Sequence, residues 1–230
     1  MNFDYTNIVL FGLTIYEPMV SVTNLILLLV SIYVFRDLKK FQNPYPGKMS
    51  AFILIMGISS CFGALAHGAH YQLGTIFFNT VAYISNALNL ICVYFCFMGS
   101  YVYQNRGKLP PQKSTVSMVI GWIVVMLLIT LLWNNFIIIK IHAGVVLLYS
   151  LVVHLSAYRK YNELGSGIVA LGIFISFFSI LVHSLHFSLH DYFNYKDIAH
   201  VIMIVSLIVI YRGIKLNSAG LVETQVAATE

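Results

Sequence analysis

Charge is what this sequence has least of. Only 9% of its residues are Asp, Glu, Lys or Arg, against roughly 25% in a soluble domain. A water-soluble globule is excluded, because its surface would have too few charges to cover it. Cysteine is almost missing too. Cys61, Cys92 and Cys96 each sit inside an apolar run, which excludes a disulfide framework and reads as small buried hydrophobes. Cys92 and Cys96 lie one helical turn apart, and a soft-metal role is the alternative for that pair. Walker loop, GxGxxG, HExxH and CxxC are all lacking, so no local motif points to phosphate, dinucleotide or zincin chemistry. The formal charge is +5, but the basic residues fall in short loops between apolar runs. That argues for membrane topology and against nucleic acid. Met1–Tyr5 has no basic n-region and carries Asp4, so a cleaved signal peptide is not expected.

What fills the chain is hydrocarbon: 59% of residues are hydrophobic and the mean hydropathy is +0.84. Runs at 7–35, 50–73, 76–103, 117–134, 137–158, 166–189 and 197–214 are each near or above the ~20 residues that cross a bilayer. The expected fold is all-α, a polytopic seven-transmembrane helix bundle over 1–215. A small, polar, disordered tail over 216–230 should follow. Arg36, Lys39, Lys40, Lys48, Arg106, Lys108, Lys113, Arg159, Lys160, Arg212 and Lys215 all gather at one side. The positive-inside rule then puts the N-terminus outside and the C-terminus in the cytoplasm. Lys140 and Lys196 are the exceptions on the other side.

That other side also collects seven of the eight histidines: His67, His70, His142, His183, His186, His190 and His200, leaving His154 near the inner end of span five. Imidazole near hydrocarbon is costly unless it is paired or used. His183, His186 and His190 follow i, i+3, i+7, so they are expected on one face of span six. His67 and His70 pair at i, i+3 on span two, and Asp197 and His200 do the same on span seven. Three such helix ends converging would make a three-histidine metal site with an open position. His190 and His142 lie near loops and read more simply as interfacial hydrogen-bonding groups. Glu17 is the one acid inside the first apolar run. It reads as a ligand, a proton acceptor or the partner of Lys140, or else as a helix cap after a break at Pro18. Asn79, Asn86 and Asn89 share a face of span three, and Thr23, Asn24, Ser59, Ser60 and Gly63 read as interhelical glue and close packing.

Seven spans with histidine on spans two and seven and a nearby acid resemble the CREST superfamily. That group takes in the alkaline ceramidases, the progestin and adipoQ receptors and a set of lipid-remodelling proteins. The stretch Phe193-Asn194-Tyr195-Lys196-Asp197-Ile198-Ala199-His200-Val201-Ile202-Met203 is also similar to uncharacterised bacterial membrane proteins placed near it, which implies a bacterial inner membrane. The resemblance implies a zinc held by three histidines that activates water to cleave a lipid amide or ester. His67 and His200 match ligand positions. Gly63, Asn79 and Ile204 stand where the family has serine, acid and a second span-seven histidine, so His183 or His186 would supply the remaining ligand.

The first expectation is therefore a zinc-dependent membrane hydrolase of a lipid-like substrate. Its metal candidates are His67, His70, His183, His186 and His200, with Glu17 or Asp197 as base. The alternative is a receptor or transporter with a histidine-rich pocket for a ligand or a proton. A b-type haem protein ranks below both. A retinal protein is not expected, since no lysine lies between Ile198 and Tyr211.

Overall fold

The computed structural model describes residues 6–106, 112–133 and 136–227. They form one β-hairpin and seven helices: β1 (Asn7–Leu10), β2 (Leu13–Tyr16), α1 (Pro18–Leu38), α2 (Pro44–Gly68), α3 (His70–Gln104), α4 (Lys113–Leu132), α5 (Phe136–Tyr161), α6 (Leu164–Leu185) and α7 (Tyr195–Ala227). All seven helices are long and apolar enough to cross a membrane, as a multi-pass membrane protein requires.

The first span is shorter than the sequence predicts. Residues 7–16 pair as antiparallel strands, Asn7 with Tyr16 through Leu10 with Leu13. The two turn residues, Phe11 and Gly12, have φ of 51° and 79°, the positive pair that a two-residue hairpin turn demands. Pro18 occupies the first turn of α1, where its missing N–H costs nothing. On α2 the Asn43 side chain accepts from the Tyr45 N–H at 3.0 Å, capping a start that also contains Pro44. α3 is broken at Gly74, whose φ of 74° and ψ of 178° are not helical. The expected tail at 216–230 begins inside α7, which runs on to Ala227.

Contacts between neighbours close a ring in the order α1, α2, α3, α5, α6, α7 and back to α1. α4 packs outside it, against α3 and α5, and buries Thr130 alone among its described residues. Two ends result. The basic end holds the α1–α2 loop, the α3 C-terminus and the α5–α6 turn. The histidine end holds the hairpin, the α2–α3 junction and the α6–α7 loop.

Hydrogen bonds knit the ring where apolar packing gives no direction in lipid. Ser60 Oγ donates to the Asn24 carbonyl (3.1 Å), Ser59 Oγ to the Ser85 carbonyl (2.9 Å) and Ser206 Oγ to the Gly172 carbonyl (2.9 Å). At the basic end Asp37 accepts from Tyr211 (2.6 Å) and Lys215 (2.9 Å), tying α1 to α7. α6 and α7 approach closely at Gly172. A Cβ there would lie 2.6 Å from Ile210 Cγ1 and 2.8 Å from the Ile210 nitrogen, and backbone cannot yield cheaply. Gly172→Val is expected to cost roughly 1–3 kcal/mol, read as a lower unfolding midpoint in detergent. An unchanged midpoint would contradict this close packing.

Candidate functional site

Glu17 is the junction between hairpin and bundle. Its backbone is left-handed, with φ 41° and ψ 58°, a conformation uncommon for a residue other than glycine. Its N–H donates to the Thr6 carbonyl at 2.8 Å, which closes the hairpin. The side chain is buried and faces two partners. His67 Nδ1, from the last turn of α2, bonds Oε2, and Lys196 Nζ, from the first turn of α7, meets Oε1 at 2.5 Å. One carboxylate therefore clasps α1, α2 and α7 together, with Lys196 in the place that the sequence reading offered to Lys140. Lys140 Nζ instead donates to Ser184 Oγ at 3.3 Å.

Burial alone would raise the Glu17 carboxyl. The hydrogen bond and charge of His67, with those of Lys196, outweigh it and hold the group at about 2, against 4.5 for a free side chain. A carboxyl lowered by folding adds stability above its unfolded value and loses it as pH falls through its folded value. The clasp is thus expected at full strength above about pH 4.5 and to fade toward pH 2. Unfolding midpoints of wild type and Glu17→Gln should differ most near neutral pH and converge on acidification below that point. A constant gap down to about pH 3 would contradict this.

His200 stands one turn into α7, and its Nδ1 lies 3.0 Å from Thr23 Oγ1 on α1. Asp197 is fully buried. Its Oδ2 accepts from the Asn194 N–H at 2.9 Å, which caps α7, while Oδ1 is buried and has no hydrogen-bond partner among the described residues. His183 lies in the last turn of α6 and meets the Tyr195 ring edge-on at 5.1 Å.

The span-six histidines do not share a helix face. α6 stops at Leu185, His186 caps it in a left-handed conformation with φ 52°, and His190 lies in the loop, bridged to Phe193. The His186 ring packs 4.6 Å from Tyr195. The helix ends one residue before His186 and five before His190, because a left-handed residue turns the chain away. The side chain of His70 lies outside the described residues. His142 is buried between helices, where Trp122 Nε1 donates to its Nδ1 at 2.8 Å. His154 is buried at the basic end, 4.7 Å from the Tyr103 ring.

Between these groups lies a cavity of about 430 Å³. His67, His183 and His200 all line it, as do Lys140 and Lys196; deeper walls include Asn86, Asn89, Ser59 and Ser179, then Leu27, Ile53, Val93, Cys96 and Leu207. None of the described lining residues is Asp or Glu. The three histidines, from three helices, thus line one space. Lys140 and Lys196 did not enter the expected site, although both stand out in the sequence as the two bases on the side poor in basic residues.

The Nδ1 atoms of His67 and His200 are each held by an oxygen partner, as is usual for zinc-binding imidazoles. Among the described residues, however, no three His, Cys, Asp or Glu side chains gather closely enough to hold a metal ion. Two ammonium groups line the same space.

Residues 19–219 match the model of the family of unknown function DUF6962, and the chain belongs to that family. No curated protein and no solved structure matches it.

Proposed function

We propose that this chain is a multi-pass membrane protein that binds an amphiphile with an anionic head, as a receptor or carrier rather than an enzyme. One observation carries the reading. The cavity has two lysines and three histidines at one end, with Glu17 bonded to His67 and Lys196, no carboxylate among its described lining residues, and an apolar interior beyond. A carboxylate or phosphate head, stripped of water, gains most where cations and imidazole donors already point into a space of low polarity. An alkyl tail gains by filling the rest. A volume of about 430 Å³ is that of a small-molecule pocket. On the positive-inside rule the basic end faces the cytoplasm, so the pocket opens in the outer half of the membrane.

Binding of a long-chain carboxylate to the protein in nanodiscs tests this, beside the chain-matched alcohol. Saturable binding, with the alcohol weaker by about tenfold or more, is expected from loss of a charge-assisted contact worth roughly 1.5–3 kcal/mol. Equal binding of the two, or none, would remove the anionic head from the account.

The second reading is the zinc-dependent lipid hydrolase, favoured by the shared lining of one cavity by His67, His183 and His200. It requires donors to move together around the ion. Elemental analysis of protein purified without chelator decides it: about one zinc per chain, lost in the His67→Ala, His183→Ala double variant, would establish a metal site.

A further inference from the structure

The hairpin is apolar on its outside in a way that water does not tolerate. Relative exposures are 69% for Val9, 48% for Leu10, 95% for Phe11 and 57% for Leu13. No residue from Thr6 to Tyr16 is charged. An isolated two-stranded hairpin is marginal in water even with one face covered, and contiguous exposed apolar surface of this kind marks a contact. More surface of the same character lies at this end of the bundle. Ile76, just past the break in α3, is 85% exposed, and Trp133, at the same end of α4, is 73% exposed. Tryptophan at a helix end marks the level where hydrocarbon gives way to head groups.

We infer that residues 6–16 form a membrane-inserting flap that seats Val9, Leu10, Phe11 and Leu13 in the lipid leaflet at the histidine end. The partner is lipid rather than a second protein, because the patch sits against α2 and α3, two of the helices long and apolar enough to cross the membrane. The depth follows from the backbone. Outward-facing N–H and C=O groups of a two-stranded ribbon have no partner in hydrocarbon, where open sheet edges do not occur. The flap therefore lies in the interfacial layer, side chains toward the acyl boundary and edges toward water and head groups.

Its position gives this placement a consequence for the pocket. The hairpin ends at Glu17, which is bonded to the lining residues His67 and Lys196. Gln72, two residues before the Gly74 break, donates to the Thr14 carbonyl. The flap is thus fastened at the cavity's polar rim, beside a helix break, and holds that rim at the level of the lipid head groups. This second step rests on the amphiphile reading, whereas the insertion itself does not.

The test uses the full chain in nanodiscs, with Phe11→Cys in a Cys61→Ser background carrying an environment-sensitive fluorophore. Cys92 and Cys96 are buried. Lys39→Cys at the basic end serves as the water-exposed control. The flap predicts blue-shifted emission at position 11 and strong quenching by lipids with a nitroxide near the head group. Emission like that of the control would overturn the inference. Quenching confined to nitroxides at the bilayer centre would also overturn it, by making residues 6–16 part of a span. So would a blue shift that disappears when the protein is diluted to one chain per disc, because a second copy would then be the cover. All of these outcomes are read without any pocket ligand, so failure here is separable from failure of the amphiphile reading.

Discussion

Glu17→Gln should lower stability near neutral pH by about 3 kcal/mol, a fall of roughly 6–12 °C in unfolding midpoint for a chain of this size. The magnitude follows from burial. The Glu17 side chain is 7% exposed and Lys196 is 18% exposed, so removing the carboxylate leaves an ammonium group beside His67 with little water to replace it. An exposed pair would give 1 kcal/mol or less. Lys196→Met alone should also destabilise, because it leaves the buried carboxylate with His67 alone. The double variant should lose less than the two single losses combined, since the pair acts as a unit. Additive losses, or a loss below about 1 kcal/mol for Glu17→Gln, would mean that the clasp does not hold α1, α2 and α7 together.

The second large effect is expected deep in the cavity. Ala143 on α5 lines its apolar part, where space and not hydrogen bonding admits a ligand. Ala143→Phe puts a ring into that space and should reduce long-chain carboxylate binding by tenfold or more. The unfolding midpoint should stay the same or rise as the void fills. A short-chain acid, which needs only the polar end, should be less affected. If long and short ligands weaken equally, the tail does not run into the bundle. If the midpoint falls steeply, the ring has strained the packing, and the same comparison is then made with Ala143→Leu.

Much of the architecture was legible in the sequence, because seven long apolar runs separated by basic, proline-containing loops have few other solutions in lipid. The side chains at the site were partly legible. Period and depth brought His67, His183 and His200 to one end, and they do line one space. The misreadings have local causes. Residues 7–16 are as apolar as the span that follows them, so hydropathy merges the two. Only Gly12, the β-branched Ile8, Val9, Thr14 and Ile15, and Pro18 hint at a turn and a fresh start. The end of α6 carries neither Gly nor Pro at His186, and nothing short of tertiary packing explains why it turns there. The pairing of Glu17 with Lys196 joins residues 179 apart in sequence. No periodicity within either helix reveals such a contact.

The central claim is that an amphiphile lies inside the bundle, head at the lysines and histidines, tail toward the middle. The most direct measurement is an experimental structure of the protein in nanodiscs with a long-chain carboxylate brominated near its methyl end. The account predicts bromine density inside the cavity, near Cys92, Val93 and Ala143, with the carboxylate beside Lys196 or Lys140. Bromine density only on the lipid-facing surface of the helices, with the cavity holding water alone, would contradict it.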